Sequence, residues 1–205
     1  HHRIKNNMQV VSSLLRLQSS YVEDEKALEL FKNSQNRVRS MALIHELLYR
    51  SKDMANIDFA EYVKSLTTQL LSSFDINTNF IKLKMNIKDI LLDINLVTPC
   101  GFIINELVSN SLKYGFPAIG DKPEGRKGEV SIDFTFENET YVLSVKDNGI
   151  GISEEIDLKN PQTLGLMLVN IFIKQLNGTL ELEKVKGTSF KISFKKKTIK
   201  TYSNV

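Results

Sequence analysis

The chain contains a single cysteine, Cys100, in 205 residues. An internal disulfide framework is therefore excluded, and a reducing compartment suits the composition. Cys100 sits among Pro99, Gly101 and Phe102 at the start of an apolar stretch, so a buried thiol is expected there. No run of 18 apolar residues occurs and nothing resembles a signal peptide. A cytoplasmic location is expected of this stretch, whatever the attachment of a longer parent protein. The net charge is only +3, too small to argue for a nucleic-acid partner. Five lysines of the excess lie between Lys191 and Lys200, where they solubilise a terminus. Internal repeats and low-complexity segments are missing too. What is present is 41% hydrophobic residues, enough for a real core in one large domain or two modest ones.

The first half of that content is helical in period. Ile4, Met8, Val11, Leu15 and Val22 form a stripe over residues 1–22. The turn Ser19–Asp24 leads into a second helix, Glu25 to Lys52, about 40 Å long at about 1.5 Å per residue. Its stripe runs through Leu28, Phe31, Val38, Ala42, His45 and Leu48. Two such helices make an antiparallel hairpin that cannot bury both stripes alone, so pairing with a second copy into a four-helix bundle is expected. His1 lies about 60° from the centre of the first stripe and His2 about 160° from it. His1 thus faces the helix seam and His2 points to solvent. His45 reads as a seam histidine.

Met54–Ile57 is a short connector and a candidate hinge. Asp58 and Glu61 then form a capping-box pattern before Tyr62, Val63, Leu66 and Leu70. Ile81, Leu83, Met85 and Ile87 alternate with polar residues as in a half-buried strand. A helix follows, capped by Asp93 or Asn95, with Pro99 in its early turns. Glu129–Phe136 and Thr140–Lys146 alternate around Glu137–Glu139 as a hairpin. Leu164–Asn177 is helical, stopped by Gly178, and Thr179–Glu183 pairs with Ser189–Phe194. Helices segregated from a largely antiparallel sheet predict an α/β sandwich of two layers. The fold class is therefore α+β, with boundaries at 1–55 for the helical hairpin and 56–205 for the sandwich.

The organising stretch is N-E-L-V-S-N-S-L-K-Y-G-F at Asn105–Phe116. At about 100° per residue, Glu106, Asn110 and Lys113 share one face, opposite Ile104, Leu107, Val108 and Leu112. Carboxylate, amide and ammonium on one face could position water, hold a divalent cation and contact a phosphate. The simpler reading is an amphipathic helix with a solvated polar face. Downstream stand D-N-G-I-G at Asp147–Gly151, T-L-G-L at Thr163–Leu166 and G-T at Gly187–Thr188. Asp147 at a strand end can accept from an exocyclic amine, while Gly149 and Gly151 let backbone approach a flat base. Gly165 opens a helix, and helix N-termini attract phosphate.

In that order the motifs resemble the ATP-binding domain of histidine kinases, shared with type II topoisomerases, heat-shock ATPases and mismatch-repair ATPases. H-H-R-I-K-N-N-M-Q-V-V at residues 1–11 resembles the phosphoacceptor segment of the H-R-x-K-N subfamily, related to the HWE kinases, and Arg37–Tyr49 resembles its second helix. The resemblance implies that His2 is the phosphoacceptor and that Glu106 polarises the attacking group or water. It makes Asn110 the Mg²⁺ ligand, Lys113 a phosphate contact and Tyr114 a wall on the sugar–phosphate side. Asp147 then reads adenine, Thr188 helps on the adenine side, and Ser153–Gln162 is a short ATP lid. It implies a sensor histidine kinase core using ATP and Mg²⁺, a homodimer through the hairpin, a missing upstream sensor region, and a response regulator receiver domain as partner. One departure stands out: Arg3 follows the acceptor where commoner histidine kinases have an acid, and a neighbouring cation favours neutral imidazole. Two alternatives stay open at this point, a serine kinase or ATPase of the same fold and a silent nucleotide-binding dimeric scaffold.

Overall fold

The computed structural model describes residues 2–50, 56–73, 81–88, 90–116, 128–152, 157–158, 160–183 and 186–196, without the side chains of 2–5, 43–45 and 47–50. The expected directions of His1, His2 and His45, residues 54 and 55 of the expected hinge, and residues 153–156 and 159 of the expected lid lie outside these.

Helix α1 (His2–Ser19) and helix α2 (Glu25–Arg50) form the expected antiparallel hairpin. Asp24 starts α2, its Oδ1 accepting the Ala27 N–H at 2.7 Å. Met8, Leu15, Leu28, Phe31, Val38 and Ala42 are half-buried along the seam. Val11, expected in that stripe, is instead 45% exposed, beside Val10 at 58%, Leu14 at 53% and Leu17 at 57%. One partner helix covers only a narrow strip of α1, so the wider apolar face points outward. No helix of the described residues is long and apolar enough to cross a membrane.

The rest is a sheet covered on one face by helices. Strand β1 (Ile57–Asp58) and strand β3 (Leu91–Leu92) form a small antiparallel ladder. Between them come helix α3 (Phe59–Ser73) and strand β2 (Ile81–Ile87). After β3 come helix α4 (Ile94–Asn110), a wide π turn (Ser111–Gly115), strands β4 (Gly128–Glu137) and β5 (Thr140–Asp147), helix α5 (Leu164–Gln175), and strands β6 (Thr179–Glu183) and β7 (Thr188–Lys195). The sheet order is β2-β4-β5-β7-β6. Among the described strands only β2 and β4 pair in parallel, with Ile81 opposite Gly128; the other pairs are antiparallel. Alternating burial along β4 and β5 sends Val130, Ile132, Phe134, Leu143 and Val145 into the core. There they meet Phe59, Tyr62, Val63 and Leu66 of α3 and Ile103, Ile104 and Leu107 of α4. The two-layer sandwich expected from the sequence is the one observed.

Local signals explain the boundaries. Asp58 caps α3 by accepting the Glu61 N–H at 2.9 Å, and Asp93 rather than Asn95 caps α4. Pro99 is the sixth residue of α4, one turn past the positions where a missing N–H is harmless, so that helix lacks one backbone bond. Cys100 is fully buried, and burial pushes its thiol pKa up. On helix α4 the simpler of the two readings fails. Its polar side is not solvated: Asn105 is 2% exposed and Glu106 5%. Helices α3, α5 and α2 all pack on α4, which leaves it no free face.

Candidate functional site

The site grows from the end of β5, a strand flanked on both sides by β4 and β7. Asp147 closes that strand and is 4% exposed. Its Oδ1 accepts the Gly149 N–H at 2.9 Å and the Thr188 N–H at 3.3 Å, while Oδ2 accepts the Ser111 hydroxyl at 2.8 Å. The carboxylate is thereby fixed by three donors, and Oδ2 keeps a lone pair for one more. The following loop hooks under the π turn, where the Ile150 N–H donates to the Gly115 carbonyl at 2.9 Å. A Cβ at Gly149 would lie 2.3 Å from that carbonyl, so only glycine passes here. Gly187 has φ +96°, and its Cβ would lie 1.9 Å from the Asp147 carbonyl oxygen.

Above this floor opens a cavity of about 670 Å³, within the range of ligand pockets. Of the residues expected to bind nucleotide, Asn110, Lys113, Tyr114, Asp147, Gly151, Gly165 and Thr188 line it, and so does Glu106. Gly149 supports the floor from beneath rather than lining the cavity. Helix α5 starts at the far wall, its Thr163 cap receiving the Leu166 N–H at 3.5 Å. A Cβ on Gly165 would stand 2.7 Å from Glu106 Oε2, so the free amides of α5 and the Glu106 carboxylate share one corner.

The side of the cavity missed by sequence reading comes from α2. Arg37 donates through Nε to Glu106 Oε1 at 2.7 Å and through Nη2 to Oε2 at 2.8 Å. Asn105 Nδ2 adds a bond to Oε1 at 3.2 Å, and Ser40 donates to Asn105 Oδ1 at 2.7 Å. Lower down, Lys113 Nζ lies 3.0 Å from Glu29 Oε1 and also bonds Asn33 Oδ1. Tyr114 donates to the same Glu29 oxygen at 3.2 Å. The Lys113 ammonium, through hydrogen bond and charge, holds Glu29 below the usual carboxylate range against a small opposing effect of burial. Burial first, and Glu29 second, push the Tyr114 phenol up. Residues 29, 33, 37 and 40 follow a helical spacing that only a search for polar stripes would find.

These groups suit nucleotide chemistry. A fixed carboxylate on a floor made of backbone fits a flat base carrying an exocyclic amine. Helix α5 offers amides to phosphate. No cluster of three or more acidic, His or Cys side chains fit to hold a metal occurs among the described residues. Asn110, half-buried on the cavity wall, supplies one hard oxygen. That donor set fits Mg²⁺ held mainly by phosphates and water, and not a dedicated protein cage.

Comparison with known proteins agrees with this geometry. A family model described as histidine kinase matches residues 1–74, and one described as histidine kinase-, DNA gyrase B- and HSP90-like ATPase matches residues 97–198. Sensor histidine kinase PdtaS of Mycobacterium tuberculosis is 30% identical over 184 residues, covering 88% of this chain and 35% of that protein. The chain thus spans about a third of the length of the PdtaS proteins it matches. In structure it resembles the histidine kinase domain of the Erythrobacter litoralis EL346 blue-light activated histidine kinase, with TM-score 0.71 and 20% identity, covering 95% of this chain and 88% of that one. Histidine kinase AdeS of Acinetobacter baumannii shares the fold at TM-score 0.54 and 18% identity, covering 94% and 97%. With a histidine kinase segment at its start and the matching ATPase segment after it, the chain belongs to the histidine kinase family.

Proposed function

We propose that this chain is the catalytic core of a two-component sensor histidine kinase, divided near residue 55 into a phosphoacceptor hairpin and an ATP-binding domain. The observation that carries this reading is the single cavity holding Asp147 on its floor, Asn110 on its wall and the start of α5 at its far end, with the hairpin helix α2 docked against it. Asp147 Oδ2 accepts the adenine amine, with Thr188 beside it. The amides of α5 and the Lys113 ammonium hold phosphate oxygens, and Asn110 holds Mg²⁺, which neutralises charge on the phosphates. A ring nitrogen of His2 attacks the γ-phosphorus, the bond to the bridging oxygen breaks, and ADP leaves with that electron pair. Glu106 orients the incoming imidazole or takes its proton. The turn at 20–24 sets the first turns of α1 level with the part of α2 that carries Arg37 and Ser40, which supports approach of His2 to this corner. The phosphoryl group then passes to an aspartate of a response regulator receiver domain, and two copies pair through the exposed apolar face of α1. The reaction runs on the cytoplasmic side, downstream of a sensor region.

The test is incubation with γ-labelled ATP and Mg²⁺ followed by mapping of the label. An acid-labile, base-stable label on His2, lost in His2→Ala while ATP affinity stays within about twofold, is expected, because the hairpin supplies no adenine contact. An acid-stable label on a serine, or no label with ATP bound, would overturn it.

A further inference from the structure

Glu29, Asn33, Arg37 and Ser40 lie at i, i+4, i+8 and i+11 on α2, so they form one stripe along it. Their partners run the opposite way along α4 and the π turn: Lys113 and Tyr114 face Glu29, Glu106 faces Arg37, and Asn105 faces Ser40. The seam is made from the same groups that the ATP reading needs. The Lys113 ammonium sits between the Glu29 carboxylate and the Asn33 amide oxygen, its side chain only 15% exposed. Both Glu106 oxygens are engaged by the Arg37 guanidinium. A triphosphate entering the cavity brings several negative charges toward Lys113, close to the Glu29 carboxylate that pairs with it. Like charges so placed repel, and the lysine is drawn to the stronger anion.

We propose that the polar stripe of α2 is an intramolecular docking strip that competes with nucleotide phosphates for Lys113 and, through Arg37, ties up the Glu106 carboxylate, so that Mg²⁺–ATP entry loosens the hairpin from the ATP-binding domain. The proposal rests on the reading of the cavity as an ATP site and adds how that site is regulated. Linkage makes the effect reciprocal: whatever loosens the strip tightens nucleotide binding by the same factor. A signal that rotates α2 would therefore set ATP affinity without touching the base pocket. Loosening also gives the ATP-binding domain the freedom it needs to present phosphate to a histidine on the other helix of the hairpin.

Two measurements on the full chain decide it. Calorimetric titration with Mg²⁺–ATP compares the wild type with Glu29→Ala/Asn33→Ala, both positions on the hairpin surface and neither in the adenine or metal contacts. Release of Lys113 should tighten binding by roughly three- to tenfold, the scale of a partly exposed ion pair and its amide partner. Unchanged or weaker binding in the variant overturns the docking strip while leaving the ATP site standing. Failure of the wild type to bind Mg²⁺–ATP overturns the ATP site and the strip together. The second measurement places spin labels at Ser20→Cys and Glu137→Cys, both exposed positions, with the buried Cys100 left unlabelled. Their distance distribution should shift or broaden on adding Mg²⁺–ATP, and should already be broad in the double variant without nucleotide. A single distribution indifferent to both changes overturns the proposal.

Discussion

Replacing Glu106 by glutamine keeps the side-chain volume and removes its charge, and the Arg37 pair makes the outcome calculable. The carboxylate now accepts two charge-assisted bonds from Arg37 at 2.7 and 2.8 Å, with side-chain exposures of 15% for Arg37 and 6% for Glu106. An amide keeps one acceptor oxygen, and its NH₂ then faces a guanidinium N–H, donor against donor. Stripping one partner from a buried pair costs about 3–5 kcal/mol. Residual exposure of Arg37 lets water replace part of the loss, which leaves about 2–3 kcal/mol. Arg37→Met strands the carboxylate instead and should cost a similar amount. In the double variant no charge is stranded, so its cost should not exceed that of either single change. Urea unfolding of the four proteins should then return a coupling of about 2 kcal/mol. A coupling below about 0.5 kcal/mol, the level of an exposed pair, would refute the view that this contact holds hairpin and domain together. In the same set, Glu106→Gln should lower phosphorylation of His2 by ~10²-fold.

Three further outcomes follow from the site and the core. Asp147→Asn should weaken ATP binding and narrow its preference over GTP in a competition titration, since an amide can donate to the guanine edge as well as accept; equal affinities before and after would remove Asp147 from base reading. Asn110→Ala should impair Mg²⁺–ATP binding far more than metal-free ATP binding, measured with and without chelator, because its oxygen acts through the cation. Tyr62→Phe should leave thermal stability unchanged or raise it by up to about 1 kcal/mol, because the Tyr62 hydroxyl is fully buried and has no hydrogen-bond partner among the described residues.

Much of the frame could be read from the chain because it depends on local rules. Alternation marked β4 and β5, and the Asp58–Glu61 pattern marked the start of α3. Glycines that cannot carry a Cβ marked the floor around Asp147. What stayed hidden depends on partners far away in sequence. Alternation shows that Ile81–Ile87 is a strand but not that it runs parallel to β4, because direction is settled by a connection of some forty residues. The polar stripe of α2 went unread because periodicity reports where apolar residues lie and is silent on which polar ones meet a partner. Arg37 and Glu106 are 69 positions apart, and neither residue carries a local mark of the other. The burial of Glu106 and Asn105 was unreadable for the same reason.

The π turn at Ser111–Gly115 has a consequence for how this protein can change over time. A helix continued in regular α form through these positions would turn by about 100° for each residue removed. Deleting a single residue there would leave Asn110 and everything before it in register, yet swing the lysine and tyrosine away from Glu29 and Asn33 and withdraw the Gly115 carbonyl from the Ile150 N–H. One codon thus separates a version of this helix that grips the hairpin from one that does not. Among descendants of this sequence, gain or loss of that codon is a short route to kinases with the same chemistry and different resting attachment.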